Sequence, residues 1–213
     1  MNLIRVAAIA SAIALLAGVA SAKACEGKNV LFEDQFTELA PTWDADPNDA
    51  KLDNGKLVVS VKPDWLIAVA NTFQVYDDID FCVDVTPTKD TSDAANSEGG
   101  VVFWFLDYSN FYTFEIDGQG EASVWRKQRG KWLKQVPWMK APGLKSGTDA
   151  TNTLRVVTVG NQATFYANGQ KFQSLKGTPP EVQQIGILVG SPKKSGAGFS
   201  FSNLKVTEPE KSG

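Results

Sequence analysis

Between Thr151 and Leu175 the chain reads TNTLRVVTVGNQATFYANGQKFQSL, and this stretch restricts the fold more than any other. Apolar and polar residues alternate with a period of two, the signature of strands half-buried on one face. Gly160-Asn161 and Asn168-Gly169 are two-residue connections of the kind that close hairpins through primed turns. With both turns tight, Val156 opposes Phe165, Phe165 opposes Phe172, and Leu154 and Ala163 join the same face. The segment is therefore a three-stranded antiparallel meander with one apolar face, and that face needs a second layer to cover it.

The remaining chain supplies that layer in the same idiom. VLFEDQF (residues 30–36) reads as a first strand, and residues 51–61 as a hairpin turning at Asp53-Asn54-Gly55. Residues 71–87 hold one or two long strands. Residues 99–117 hold two strands joined at Asp107-Tyr108-Ser109-Asn110, and residues 121–136 a hairpin turning at Arg129-Gly130. QQIGILVG (183–190) and AGFSFSNLKVT (197–207) close the series. No window beyond the N-terminal segment carries a 3.6-residue period, and there is no internal repeat or long linker. The expectation is an all-β antiparallel sandwich in one domain over residues 26–208, followed by a polar tail at 209–213.

The N-terminus reads as a secretory signal over residues 1–22. Arg5 provides the positive charge, Val6 to Val19 the apolar run, and Ala20-Ser21-Ala22 the small-residue cleavage site. The run is too short for a membrane span, which needs about 20 residues. A periplasmic or extracellular location is expected, and Cys25 and Cys82 then meet an oxidising compartment that favours a disulfide. In IDFCVDV, alternation sends Ile79, Phe81, Val83 and Val85 to one face and Asp80, Cys82 and Asp84 to the other. Cys82 thus lies on the outer face, within reach of the N-terminal segment. Lipidation of Cys25 is the competing reading, although Ala22 and Lys23 stand where a lipobox has leucine and a small residue.

The chain of 213 residues contains no histidine, which excludes histidine-dependent triads, Cys–His dyads and His-ligated zinc. The formal net charge is −3, and loss of Arg5 with the signal makes the mature protein one unit more acidic. Its lysines are scattered, so nothing in the charge pattern favours nucleic acid or an anionic membrane.

Several segments carry a family likeness. Gly99 to Phe105, Asp107 to Phe114, Asn152 to Val156, Gly160-Asn161, Tyr166 to Gly169 and Phe199 to Val206 resemble the concanavalin A-like lectin/glucanase superfamily. The likeness is to the laminin-G-like and 3-keto-disaccharide-hydrolase-like (DUF1080-type) jelly rolls of bacterial exported proteins. It covers nearly all of the mature chain and implies two curved antiparallel sheets, with glycans bound on a concave face or at a loop edge. Core and turn residues carry it, and such residues fix a fold better than a function.

Three candidate sites stand out. In Glu115-Ile116-Asp117-Gly118-Gln119-Gly120-Glu121 the acids resemble the Glu-x-Asp-x-Glu of family 16 glucanases. Glu115 and Asp117 share a strand face, but Glu121 falls beyond a Gly-Gln-Gly turn, so the acid pair of a retaining glycosidase is not built in. Around Arg129-Gly130, Lys127 opposes Trp132 and Trp125 opposes Lys134, so that Ser123, Trp125, Lys127, Trp132 and Lys134 line one face. Ala122, Val124, Arg126 and Leu133 line the other. Indole rings stack on the apolar faces of pyranoses and the lysines can bond hydroxyls or carboxylates, so this face is the expected glycan platform. The alternative is a core-edge tryptophan covered by lysine stems. Trp138 and Trp104 are candidate extra walls, with the interior the better place for Trp104. Asp44, Asp46 and Asn48 have oxygen-ligand spacing suited to calcium, but Asp49 stands where a glycine belongs and no distal glutamate completes the loop. No cofactor is expected.

The function expected is non-catalytic carbohydrate binding by a monomer. A glycosidase acting on a keto-disaccharide or β-glucan through carboxylates, and a structural envelope domain, are the alternatives.

Overall fold

The computed structural model describes residues 25–88 and 97–210; the signal expected over residues 1–22 and residues 211–213 of the expected tail lie outside them. Fourteen strands and no helix occur among the described residues. They are β1 (Val30–Asp34), β2 (Ala50–Leu52), β3 (Leu57–Val61), β4 (Leu66–Tyr76), β5 (Asp80–Pro87), β6 (Glu98–Asp107) and β7 (Asn110–Asp117). After them come β8 (Glu121–Gln128), β9 (Lys131–Lys140), β10 (Asn152–Val159), β11 (Gln162–Ala167), β12 (Gln170–Lys176), β13 (Gln183–Gly190) and β14 (Ala197–Thr207). One sheet runs β12-β11-β10-β5-β14-β3-β2 with β1 beside β14, and the other runs β4-β13-β6-β7-β8-β9. Every strand pairing is antiparallel.

The inner faces meet in one apolar core built from alternate residues of facing strands, among them Phe81, Val83, Phe103, Phe114, Leu154, Phe165, Phe199 and Phe201. The hairpin chemistry sets the register. Arg129 (φ 51°) and Gly130 (φ 75°) are both left-handed, as a two-residue type I′ turn requires, and the flanking strands pair Gln128 with Lys131 and Lys127 with Trp132. Val156 opposes Phe165, as the alternation predicts. Phe165 does not oppose Phe172. A bulge between Phe165 and Tyr166 moves the partner to Gln173, while Phe172 still turns inward and stacks on Phe114 at 5.9 Å.

Three strand ends differ from the sequence expectation by two residues or more, among them that of β9, which runs on to Lys140 past the expected end at 136. The first strand stops at Asp34, whose Oδ1 accepts the Phe36 N–H at 2.7 Å and turns Phe36 into the core at φ 51°. β4 begins at Leu66, five residues before the expected start, because Ile67 to Ala70 pair with β13.

Cys25 and Cys82 form a disulfide with a Cα–Cα distance of 5.5 Å. Cys82 does lie on the outer face of its sheet, opposite Arg155 and Lys205, and the N-terminal segment covers it completely. Beside it the same segment closes over a charged cluster that strand alternation alone does not foretell. Asp80 is fully buried and takes Arg155 Nε and Nη2 at 2.7 and 2.9 Å. It also accepts the backbone N–H groups of Glu26 and Gly27, and Arg155 Nη1 reaches Glu26 at 2.9 Å. Burial acts to lower the Arg155 pKa, and the carboxylates of Asp80 and Glu26 outweigh it.

No helix among the described residues is long and apolar enough to cross a membrane.

Candidate functional site

The face of the six-stranded sheet that points away from the core is built by the other half of the alternation. On β7 the residues Phe111, Thr113 and Glu115 point there, while Tyr112, Phe114 and Ile116 enter the core. On β8 and β9 the hairpin register sets Trp125 across from Lys134 and Lys127 across from Trp132. Trp125 also lies across from Thr113 and Ser123 across from Glu115. Ala70, Val102, Phe105, Phe111 and Leu188 form a second, smaller apolar cluster on this outer face. Trp132 stands edge-on against Phe111 at 5.5 Å, so this cluster braces the Trp132 side of the face.

Leu66, Glu98, Glu115, Trp125 and Trp132 line a cleft of about 260 Å³. Trp132 is 36% exposed and Glu115 only 2%. The tryptophans are the accessible surface and Glu115 lies deep among them. Lys127 Nζ lies 5.5 Å from the Trp132 ring centre, and Lys134 Nζ 5.3 Å from that of Trp125. Both lysines therefore rest against the indoles, and neither lines the cleft.

Glu98 comes from β6. Its cross-strand partner is Asp117, which makes Glu115 its diagonal neighbour on the same face, and the two carboxyl groups hydrogen-bond. Glycine makes room for this. A Cβ on Gly190 of the neighbouring strand would come 2.4 Å from Glu98 Oε1. A Cβ on Gly100, opposite Glu115, would come 2.2 Å from the Phe114 carbonyl oxygen. Thr113 Oγ1 donates to Glu115 Oε1. Burial pushes the Glu98 carboxyl up to about 7. Burial, and then the nearby Glu98 charge, hold Glu115 well above the usual carboxylate range. Two like charges this close cannot both form cheaply, so the pair shares a proton near neutral pH.

The other acids of the motif are occupied elsewhere. Asp117 is 3% exposed, and its Oδ1 accepts the N–H groups of Gln119 and Glu121 at 2.9 and 2.8 Å, capping the β7–β8 turn. Burial moves its pKa up against those bonds. Glu121 lies past the turn and reaches Lys140 at 3.8 Å. The acid that meets Glu115 is thus Glu98, a residue outside the Glu115–Glu121 motif that the sequence singles out.

Trp104 is in the core, at φ 46° and 1% exposed, and Trp138 is not part of the cleft. Asp44 accepts from Tyr108 Oη at 2.7 Å, and Asp46 Oδ1 accepts from Asn48 N and Nδ2, both at 2.8 Å. Among the described residues, no group of three or more His, Cys, Asp or Glu side chains converges in a way that could hold a metal ion.

No protein-family model matches the chain, and no curated protein matches it in sequence. Solved structures do match. The carbohydrate-binding module CBM66 from Bacillus subtilis aligns with a TM-score of 0.57 at 14% identity, covering 83% of this chain and 97% of that one. The β-glucanase of Bacillus licheniformis aligns at 0.57 and 12% identity, covering 85% and 99%. The laminarinase catalytic domain from Thermotoga maritima aligns at 0.61 and 8% identity, covering 86% and 99%. This chain has the concanavalin A-like jelly-roll fold that these proteins share.

Proposed function

We propose that the protein binds carbohydrate in the cleft between Trp125 and Trp132, without cleaving it. The observation that carries this reading is the cleft itself: two partly exposed indoles beside the buried Glu115 carboxyl and its half-buried neighbour Glu98. A pyranose offers an apolar face to an indole and hydroxyls at its rim, and the carboxyl pair both donates and accepts hydrogen bonds. The volume suits about one sugar unit. Lys127 and Lys134 stiffen the walls by lying on the rings and present ammonium groups beside the cleft.

Catalysis is the weaker reading. A pair with pKa values pushed upward inside a cleft is what a general acid needs, and that observation favours an enzyme. The spacing opposes it. Glycosidases hold their two carboxyl groups about 5–5.5 Å apart when retaining and about 6.5–9.5 Å when inverting, with the sugar between them. Carboxyls hydrogen-bonded to one another leave no such gap.

A glycan array followed by calorimetry tests the proposal. Binding of some oligosaccharide at millimolar concentration or tighter is expected, with loss in Trp125→Ala and in Trp132→Ala. An array with no binder would refute it and leave an envelope-interaction domain. Turnover of a β-glucan or keto-disaccharide that Glu115→Gln abolishes would establish the enzyme instead.

A further inference from the structure

Among the described residues, no lysine or arginine forms an ion pair with Glu98 or Glu115; the ion pairs present engage Glu121, Glu26, Asp80 and Glu33. The polar partners of the pair are each other and the Thr113 hydroxyl. Around them, β7 contributes the acid Asp117, and β4 and β13 contribute Leu66 and Gly190. β8 and β9 contribute Ser123, Trp125, Trp132, and the lysines 127 and 134 lying against the rings. The deep end of the cleft is thus an acidic pocket without a counter-cation, walled by two indoles. Lys127 and Lys134 already lie against the indoles, so the pull on a ligand cation comes from the carboxyls: a cation beside two close carboxylates lets both ionise.

We propose that the sugar unit seated between Trp125 and Trp132 is an amino sugar with a free ammonium group, placed against Glu98 and Glu115. The inference rests on the glycan-binding reading and names its ligand class. A neutral sugar would hydrogen-bond to the protonated pair and leave it protonated. An ammonium would displace the shared proton, which passes to the buffer, and would end as the counter-ion of two carboxylates. An acidic sugar would face the pair's own negative charge. An N-acetylated amino sugar has the same ring and has lost the charge, so it isolates the electrostatic contribution.

The test is calorimetric titration of the intact mature protein at pH 6 with β-1,4-linked oligomers of equal length: glucosamine, N-acetylglucosamine, glucose and a uronic acid. An oligolysine peptide serves as a non-sugar ammonium. The glucosamine oligomer is expected to bind roughly tenfold or more tightly than the acetylated and neutral oligomers, the equivalent of about one pKa unit of charge interaction. Its enthalpy should vary with the buffer's ionisation enthalpy in the sense of proton release, and Glu98→Gln should remove both the preference and the release. Equal affinity for the glucosamine and N-acetylglucosamine oligomers, or release of no proton, overturns the amino-sugar assignment and leaves glycan binding standing. Oligolysine binding as tightly as the glucosamine oligomer overturns the assignment in favour of a peptide-ammonium receptor. Binding of none of the sugars defeats the glycan reading itself.

Discussion

Replacing Glu98 with glutamine should change the pH dependence of folding stability in a direction that the geometry fixes. In the folded chain burial pushes the Glu98 carboxyl from its ordinary 4.5 up to about 7. A carboxyl with a raised folded pKa leaves stability intact below its unfolded value. It removes stability as the pH rises toward its folded value, because the unfolded chain gives up the proton first. The window is therefore pH 4.5 to 7. A shift of this size corresponds to about 3 kcal/mol across it, at about 1.4 kcal/mol per unit. In a domain of this length that is roughly 6–12 °C in Tm. Glutamine keeps a hydrogen-bond donor toward Glu115 and never ionises. It also takes away the Glu98 charge that helps raise Glu115. Urea unfolding of wild type and Glu98→Gln at pH 4.5 and pH 7.5 reads the effect of the pair, since every carboxyl outside it is common to both. The difference between the two proteins should shift by about 3 kcal/mol in favour of the variant on going to pH 7.5. A difference that stays constant would show that the pair does not share a proton and that the account of the cleft floor is wrong.

Other consequences are independent of ligand. Arg155→Met leaves the fully buried Asp80 without its guanidinium partner beneath the N-terminal segment, and urea unfolding should show a loss of about 3–5 kcal/mol. Replacing Cys25 and Cys82 together by alanine opens a cross-link spanning 57 residues, with an expected loss of about 4 kcal/mol in the same assay. Gly177→Ala would put a Cβ 2.3 Å from the Trp104 ring, so calorimetric unfolding should register about 1–3 kcal/mol of overpacking.

What the sequence discloses and what it hides depend on how local each feature is. Hairpins closed by Arg129-Gly130, Gly160-Asn161 and Asn168-Gly169 are set by adjacent residues, and the register of the Trp/Lys ribbon can be read from the turn outward. Glu98 cannot be found that way. Counting back from the tight turn that pairs Asp107 with Asn110 would set Glu98 across from Gln119, beyond the end of β7. The actual partner is Asp117, because β6 bulges between Phe103 and Asp107, where Trp104 takes a left-handed backbone and drops into the core. That two-residue slip brings Glu98 beside Glu115, and no local pattern announces it. The nearest signals are the glycines at 100 and 190, which read as strand residues until their neighbours are known. The displaced Phe172 pairing has the same origin in a bulge. The Asp80–Arg155 cluster joins residues 75 apart in sequence, and alternation marks them only as outward-facing.

The central claim is that a sugar sits between Trp125 and Trp132 over the Glu98–Glu115 pair. Its most direct test is the indole N–H spectrum of the tryptophans, assigned by single substitution and recorded while a glucosamine oligomer is titrated to millimolar concentration. The account predicts saturable shifts for Trp125 and Trp132 and a stationary signal for the interior Trp104. Indole signals at 125 and 132 that stay fixed while the oligomer binds elsewhere would contradict it.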